Sequence, residues 1–339
     1  MALGRWAASI IGLFCATLAA TAAERLPRLH ALTDAWTVSG LSSGGYMASQ
    51  IAVAHSRLVR GVGVFAGGPY YCVGIDLRRA EGACMKGAPD YAASRREAER
   101  LAALRLIDPV ENLKAVRAWI LAGAADTVVQ EPVVRATAQF FSAFNPGGTV
   151  YEVQPGLGHG LPTRDYGVAC DTSASPFLNR CGVPSVSRML AHLIPSAPAV
   201  ADARGQLLTF EQDEFAPLLR RVGKATSLDA IGYVFVPERC RRIRCRVHVA
   251  LHGCRQGSAL VGDAFARHAG YNEWAEAHDL VVLYPQVRPS EPTFVAWWLP
   301  YNPRGCWDWW GYTGTEYATK NAPQIIAIVA MVARLGEEP

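Results

Sequence analysis

Short apolar runs alternate along this chain with longer amphipathic segments. The runs are rich in β-branched and aliphatic residues and mostly end at Gly, Pro or a polar residue, as buried strands do. The predicted strands are Trp36–Ser39, Val62–Phe65, Ala118–Ala122, Val150–Val153, Val247–Leu251 and Leu280–Tyr284. The predicted helices are Tyr46–His55, Pro132–Phe144, Ala264–His278 and Pro323–Leu335. This alternation predicts an α/β fold built on a mainly parallel, doubly wound sheet.

Length and composition allow one large globular domain or two modest ones. The chain has 339 residues, of which 50% are hydrophobic and 18% charged, enough for a substantial core and too few charges for disorder. No internal repeat, low-complexity tract or linker divides it, so residues 23–339 are expected to form one catalytic domain without a separate substrate-binding domain. The segment Pro195–Leu219 has the weakest pattern and is expected to be a surface excursion.

The first residues have the layout of a secretory signal. Arg5 precedes the apolar stretch Trp6–Leu18, and the small residues Ala19–Ala23 follow. Residues 1–22 are therefore predicted to be a signal peptide, with Ala20–Ala22 as the cleavage signal. The apolar stretch is short for a membrane span. The mature protein is expected to be secreted, either extracellular or periplasmic, without a membrane partner.

The cysteines fit an oxidising compartment. Of the nine, Cys15 leaves with the signal, so eight remain. Spacing suggests local bridges for Cys72 with Cys84, Cys170 with Cys181 and Cys240 with Cys245, and leaves Cys254 and Cys306; other pairings remain open. No CxxC pair is present, so disulfides are favoured and no metal site is expected. The net charge of +4 comes from scattered residues, which indicates no nucleic-acid partner.

Gly40, Ser42 and Gly44 form a G-x-S-x-G motif directly after a predicted strand and before a predicted helix. This context is typical of a nucleophile elbow, a strained turn that holds the serine hydroxyl above a sheet. A chance match in a glycine–serine turn is the alternative, and the flanking strand and helix favour the elbow.

A serine nucleophile needs a histidine base and a carboxylate that orients it. His159 lies in the glycine-rich loop after Val150–Val153, and Asp126 follows the strand Ala118–Ala122. A surface histidine and a helix N-cap are the alternative roles. With Ser42 they follow the chain order Ser, Asp, His of α/β-hydrolases.

One feature departs from the ordinary α/β-hydrolase order. Val247–Leu251 running into His252-Gly-Cys254 looks like an oxyanion-hole strand and loop, which normally precede the nucleophile. Here they follow all three candidate residues. The sequence therefore predicts a circularly permuted α/β-hydrolase fold, which is possible because domain termini often lie close together.

Five motifs in one order make the resemblance specific. They are Gly40–Met47, Phe65–Tyr70, Leu251–Cys254, Leu283–Gln286 and Gly305–Trp309. Together they resemble the extracellular polyhydroxybutyrate depolymerases with a circularly permuted hydrolase domain, and most closely the single-domain form known from fungi. The similarity extends from about Ser39 to Arg334, nearly the whole predicted mature chain.

The resemblance implies roles for particular residues. Ser42 would be the nucleophile, His159 the general base and later acid, and Asp126 the group that fixes the imidazole tautomer. The backbone N–H groups of Ser43 and Cys254 would form the oxyanion hole.

The family pattern also implies a disulfide between Cys254 and Cys306, which would tie the oxyanion loop to the following tryptophan-rich loop. Trp307 and Asn302 would bind the polyester chain. Core packing is the alternative for any one tryptophan in this stretch, which also holds Trp297, Trp298, Trp309 and Trp310.

The implied reaction is hydrolysis of poly(3-hydroxybutyrate)-type polymers or oligomers by a monomeric serine esterase that needs no cofactor. A feruloyl or acetyl esterase acting on plant polysaccharide is the alternative enzyme, since related secreted esterases share similar loops. A catalytically inactive protein that binds polymer granules is the alternative from another class. The full set of triad candidates in a strained elbow argues against it.

Overall fold

The computed structural model describes residues 24–197, 199–200, 204–216, 226–294 and 300–339. The predicted signal peptide, residues 1–22, and Trp297 and Trp298 lie outside the described residues. Among the described helices, none has both the length and the apolar character needed to cross a bilayer.

The described strands form one large and one small sheet. In chain order they are β1 Leu32–Leu41, β2 Val59–Phe65, β3 Arg117–Gly123, β4 Thr149–Gln154, β5 Leu161–Thr163, β6 Val168–Ala169, β7 Leu178–Arg180, β8 Gly205–Glu211, β9 Ile231–Pro237, β10 Arg246–Leu251 and β11 Leu280–Tyr284. The described helices are α1 Ser43–Ala54, α2 Arg78–Glu81, α3 Tyr91–Ala103, α4 Glu131–Ser142, α5 Ser185–Leu193, α6 Ser258–Val261, α7 Ala264–His268, α8 Tyr271–Ala277 and α9 Pro323–Leu335. Short 3-10 turns lie at Val110–Ala115, Pro146–Gly148, Asp213–Phe215 and Glu238–Arg241.

Within the described residues, the large sheet has eight strands in the order β4-β3-β2-β1-β10-β11-β9-β8. The pairs from β4 to β11 are parallel, and β9 and β8 extend the sheet with antiparallel pairing. This arrangement confirms the predicted α/β class and the mainly parallel sheet.

The position of β10 confirms the permuted strand order. Although β10 comes late in the chain, it lies between β1 and β11, with Leu251 opposite Gly40. The strand that leads into the elbow is therefore hydrogen-bonded to the strand that leads into His252-Gly-Cys254. A parallel pair brings both carboxyl ends to one edge of the sheet, where open α/β folds bind their ligands.

Two predictions about elements were wrong in part. The predicted helix Ala264–His278 is broken into α7 and α8, because Gly270 adopts a left-handed conformation with φ of 90°. Within the segment expected to be a surface excursion, β8 is an ordered edge strand paired with β9. Most β8 side chains are only half-buried or exposed, which explains why its apolar signal was weak.

The central strands and α1 form the core beneath the candidate site. All twelve residues of α1 are buried, so this helix is covered on every side. Its Gln50 donates from Nε2 to the carbonyl oxygen of Asp308 at 2.9 Å, which joins α1 to the tryptophan-rich loop. The serine at the start of α1 is consequently held on a rigid, buried support.

Four disulfide bonds link the described chain. They join Cys72 to Cys84, Cys170 to Cys181, Cys240 to Cys245, and Cys254 to Cys306. The first three close loops of 12, 11 and 5 residues, whereas the last spans 52 residues. Four such bonds fit a protein that folds in an oxidising compartment.

Candidate active site

Ser42 lies in a strained turn between β1 and α1. Its φ of 54° is uncommon for a residue with a side chain. A Cβ on Gly44 would lie 2.4 Å from the carbonyl oxygen of Leu251 and 2.5 Å from that of His252, and a Cβ on Gly40 would lie 2.4 Å from the Gly44 backbone. The two glycines of the motif are therefore required by close packing of backbone against backbone.

Asp126 follows β3 and is almost completely buried, with its side chain 1% exposed. Its Oδ1 accepts hydrogen bonds from the backbone N–H groups of Val128 and Val129, at 2.8 and 2.9 Å. Helix α4 has Gln130 as its N-cap, so Asp126 does not cap that helix. These bonds fix the carboxylate and leave Oδ2 pointing to a different partner.

That partner is His159. Its Nδ1 lies 2.8 Å from Asp126 Oδ2, and its Nε2 lies 3.0 Å from Ser42 Oγ. The backbone N–H of His159 donates to Ser173 Oγ at 2.8 Å, which anchors the loop. Because a carboxylate only accepts, Nδ1 carries the proton and Nε2 presents its lone pair to the serine hydroxyl. The structure thus brings the three residues into one hydrogen-bonded chain.

The two backbone groups expected to form an oxyanion hole lie beside these three hydrogen-bonded side chains. Ser43 is the first residue of α1, so its N–H has no partner within the helix. Cys254 lines the same cavity as Ser42 and His159. The disulfide holds the Cα atoms of Cys254 and Cys306 4.2 Å apart. The bond therefore connects the expected oxyanion loop to the loop that carries the tryptophans.

A buried glutamine that sequence reasoning missed joins two loops of the site. Gln256 Oε1 accepts from the backbone N–H of Gly253 at 2.7 Å. Its Nε2 donates to the carbonyl oxygens of Pro176 and Phe177 at 2.8 and 3.2 Å. The expected oxyanion loop is therefore joined by hydrogen bonds to the segment that carries Phe177, one of the cavity residues. A glutamine two residues after the HGC sequence gave no sign of this contact.

A cavity of about 570 Å³ opens above Ser42 and His159. Much of its wall is apolar, formed in part by Leu77, Met85, Val128, Phe177, Trp309 and Trp310. This lining suits a substrate with an apolar body.

The two residues expected to bind substrate occupy different positions. The Trp307 side chain is fully buried, packs against the His252 ring at 5.6 Å, and does not line the cavity. Its indole Nε1 has no hydrogen-bond partner among the described residues. Asn302 does line the cavity, but its amide is engaged on both sides of Cys306: Oδ1 accepts from the N–H at 2.9 Å, and Nδ2 donates to the carbonyl at 2.9 Å.

Asp308, also missed from sequence, organises the tryptophan-rich loop. Its carboxylate accepts from the backbone N–H groups of Gly311, Tyr312 and Thr313 at 2.7, 3.0 and 2.8 Å. The Thr313 hydroxyl also donates to it, at 2.5 Å. Burial raises the pKa of this carboxyl group, and these four donors act in the opposite direction. The loop that presents Trp309 and Trp310 is closed around this one side chain.

A second serine–histidine pair lies deeper in the sheet. His248 Nε2 lies 2.8 Å from Ser39 Oγ, and His248 Nδ1 lies 2.7 Å from Thr37 Oγ1. Both Ser39 and His248 are 0% exposed, so neither can meet a substrate. Burial lowers the pKa of His248 to about 3, which keeps its ring neutral. This pair satisfies polar groups between β1 and β10 and has no catalytic geometry.

His252 is also neutral and structural. Burial lowers its pKa to about 4. Its Nδ1 donates to the carbonyl oxygen of Gly253 at 2.7 Å, and its Nε2 accepts from the N–H of Val287 at 3.2 Å. In the described part of the chain, no three His, Cys, Asp or Glu side chains are grouped so that they could hold a metal ion.

Two curated proteins are similar to this chain over almost all of its length. A polyhydroxybutyrate depolymerase from Talaromyces funiculosus is 32% identical, and the match covers 96% of both chains. The chain belongs to the polyhydroxybutyrate depolymerase family. A poly(3-hydroxybutyrate) depolymerase from Delftia acidovorans is 35% identical over 95% of this chain. The chain spans only 63% of that protein's length. No protein-family model matches the chain.

Solved structures of polyhydroxybutyrate depolymerases share the fold. The crystal structure of the enzyme from Penicillium funiculosum has a TM-score of 0.82 and 31% identity, and covers 93% of this chain. A serine-to-alanine variant of a PHB depolymerase, complexed with an R3HB trimer, gives the same TM-score and identity. The match covers 100% of each of those two chains.

Proposed function

We propose that this chain is a serine esterase that hydrolyses poly(3-hydroxybutyrate)-type polyesters and their oligomers. The observation that carries the proposal is the hydrogen-bonded chain from Asp126 through His159 to Ser42, which opens into an apolar cavity. Family membership supports the same substrate class, since the named relatives are depolymerases of this polymer.

The proposed reaction is acyl transfer. Ser42 Oγ attacks an ester carbonyl while His159 Nε2 takes its proton, and the buried Asp126 stabilises the imidazolium that forms. The N–H groups of Ser43 and Cys254 donate to the oxyanion of the tetrahedral intermediate. His159 then gives its proton to the departing alkoxide, so a hydroxyl-terminated fragment leaves. Water, deprotonated by His159, hydrolyses the acyl-enzyme and regenerates Ser42.

Polymer contact is proposed to involve exposed apolar side chains at the cavity opening. Leu77 and Tyr301 line the cavity and are 62% and 66% exposed. Ile75, two residues before Leu77, is 82% exposed. Exposed apolar groups beside a cleft mark a surface for binding an apolar partner, here a polymer that cannot enter solution. Trp309 and Trp310 line the cavity and are proposed to contact the polymer in the way that the resemblance implied for Trp307.

We further propose that residues 1–22 direct export, and that residues 23–339 act outside the cytoplasm as one monomeric catalytic domain. The support for export is the set of four disulfides and the charge and apolar layout of the first residues.

The test is clearing of a polyhydroxybutyrate suspension by the purified mature protein, beside hydrolysis of a soluble short-chain p-nitrophenyl ester. The Ser42→Ala variant is expected to lose both activities by at least about 1,000-fold, whereas Ser142→Ala should keep them. Ester hydrolysis without clearing would remove the polymer from the proposal, and release of ferulate from feruloylated xylan would then support the polysaccharide esterase. Absence of both activities, with no alkylphosphonate adduct on Ser42, would overturn the enzyme assignment.

A further inference from the structure

Two arginine side chains at the candidate site have no evident role in cleaving an uncharged ester. Arg255 and Arg304 line the same cavity as Ser42, and both are exposed. Neither guanidinium forms an ion pair or hydrogen bond with any described residue. Glu81 is the one carboxylate among the described residues that line this cavity. The described cavity wall therefore has two positively charged side chains that lack an ion-pair partner, and one negatively charged side chain.

The two arginines are held together by the backbone. Arg255 follows Cys254, and Arg304 lies two residues before Cys306, so the disulfide joins their loops. The N–H of Arg255 also donates to the carbonyl oxygen of Arg304 at 2.7 Å. Arg255 adopts a φ of 59°, in the left-handed region, which sets the direction of its side chain from the loop. The backbone of both arginines is thus held in place next to the expected oxyanion loop.

The polyester itself offers these arginines only one strong partner. Its repeating unit is neutral, and each chain ends in a hydroxyl group at one end and a carboxylate at the other. Guanidinium groups bind carboxylates through paired, charge-assisted hydrogen bonds. When Ser42 attacks an ester, the acyl part that stays bound carries the hydroxyl end, and the part that leaves carries the carboxylate end.

We infer that Arg255 and Arg304 form a subsite for the free carboxylate end of a hydroxyacid oligomer. This inference rests on the proposed function. A carboxylate held there belongs to the leaving fragment, so the subsite favours cleavage of ester bonds close to the carboxyl end of the chain. Soluble oligomers with a free acid are then better substrates than the same oligomers with a methyl-esterified end.

The experiment compares the 3-hydroxybutyrate trimer as free acid and as methyl ester at pH 7.5 and low salt. In the parent protein, kcat/KM for the acid is expected to exceed that for the ester by about 2- to 5-fold, the range expected for a solvent-exposed carboxylate contact. The double variant Arg255→Gln/Arg304→Gln should lower this ratio to about 1, mainly by raising KM for the acid. Arg242→Gln removes an exposed arginine that does not line the cavity and should leave the ratio as in the parent.

The outcomes separate this inference from the proposed function. If the parent hydrolyses both trimers with equal kcat/KM, or if the double variant keeps the acid preference, the carboxylate subsite is wrong while the esterase stands. If neither trimer is hydrolysed, the result contradicts the proposed function, and the subsite inference that rests on it is overturned as well. A preference that decreases with added salt in the parent and is absent in the double variant supports the subsite.

Discussion

At the scale of single residues, the geometry of the elbow depends on two positions without side chains as much as on the serine hydroxyl. Ser42 supplies the hydroxyl, but its position depends on two glycines whose missing side chains allow β1, α1 and the loop after β10 to touch. The sequence predicted these glycines from the motif alone. It could not show that Gly44 faces the carbonyl groups of Leu251 and His252, because that contact joins segments about two hundred residues apart.

The Gly44→Ala variant is expected to damage the site more than the fold. Its new methyl group would lie 2.4 Å from the Leu251 carbonyl oxygen, so the loop leading to Cys254 must move. We expect a loss of stability of about 1–3 kcal/mol and a fall in kcat of at least about 100-fold. Urea unfolding and p-nitrophenyl ester kinetics measure the two effects.

Gly147→Ala serves as the control for that substitution, because a Cβ there would meet no atom within 4 Å. It should change neither stability nor kcat appreciably. Near-parental kcat in a folded Gly44→Ala protein would mean that the loop adapts without moving the oxyanion donors, and would contradict this account of the elbow.

At the level of loops and helices, the tryptophan-rich segment shows what a sequence pattern can and cannot reveal. The family resemblance implied that Trp307 of this segment binds substrate, whereas the residues that line the cavity include Trp309 and Trp310. The choice among the tryptophans was not predictable, since it depends on how the loop closes around Asp308. That closure buries Trp307 and turns its neighbours toward the cavity.

Asp308→Asn is expected to loosen this loop. An asparagine keeps one acceptor and places an NH₂ group where the carboxylate accepted from Thr313, so at least one buried N–H loses its partner. We expect a loss of about 1–3 kcal/mol in unfolding free energy and a several-fold increase in KM for oligomers. The near-UV circular dichroism of the tryptophans should change as well.

Asp34→Asn, an exposed carboxylate outside the cavity, is the matched control and should leave all three measurements as in the parent. An Asp308→Asn protein with parental KM and an unchanged near-UV spectrum would show that the loop keeps its shape without the carboxylate.

Across the whole molecule, the central part of the fold was the most predictable. The strands β2, β3, β10 and β11 are buried along nearly all of their length, so each gave a mainly apolar run. The permuted order followed from where the elbow and the HGC sequence fall along the chain. The edge strand β8 was not predictable in the same way, because most of its side chains are half-buried or exposed and its sequence resembles a loop.

Three histidines whose rings are shielded from solvent make stability depend on pH. Burial lowers the pKa of His248 to about 3 and that of His55 and His252 to about 4. In the unfolded chain each returns to its ordinary value near 6.5. Unfolding therefore takes up protons between pH 6.5 and 4, and the free energy of unfolding must fall as the pH decreases through this range.

Each of these histidines contributes a slope of up to about 1.4 kcal/mol per pH unit, the value for one proton taken up on unfolding. Urea unfolding of the oxidised protein at several pH values from 4 to 7 measures the total slope. His55→Asn should reduce the slope by up to the value for one proton, since His55 Nε2 is buried and has no hydrogen-bond partner among the described residues. Lost packing alone would displace the curve downward without changing its slope. Parallel curves for parent and variant would therefore show that His55 is not held neutral in the folded protein.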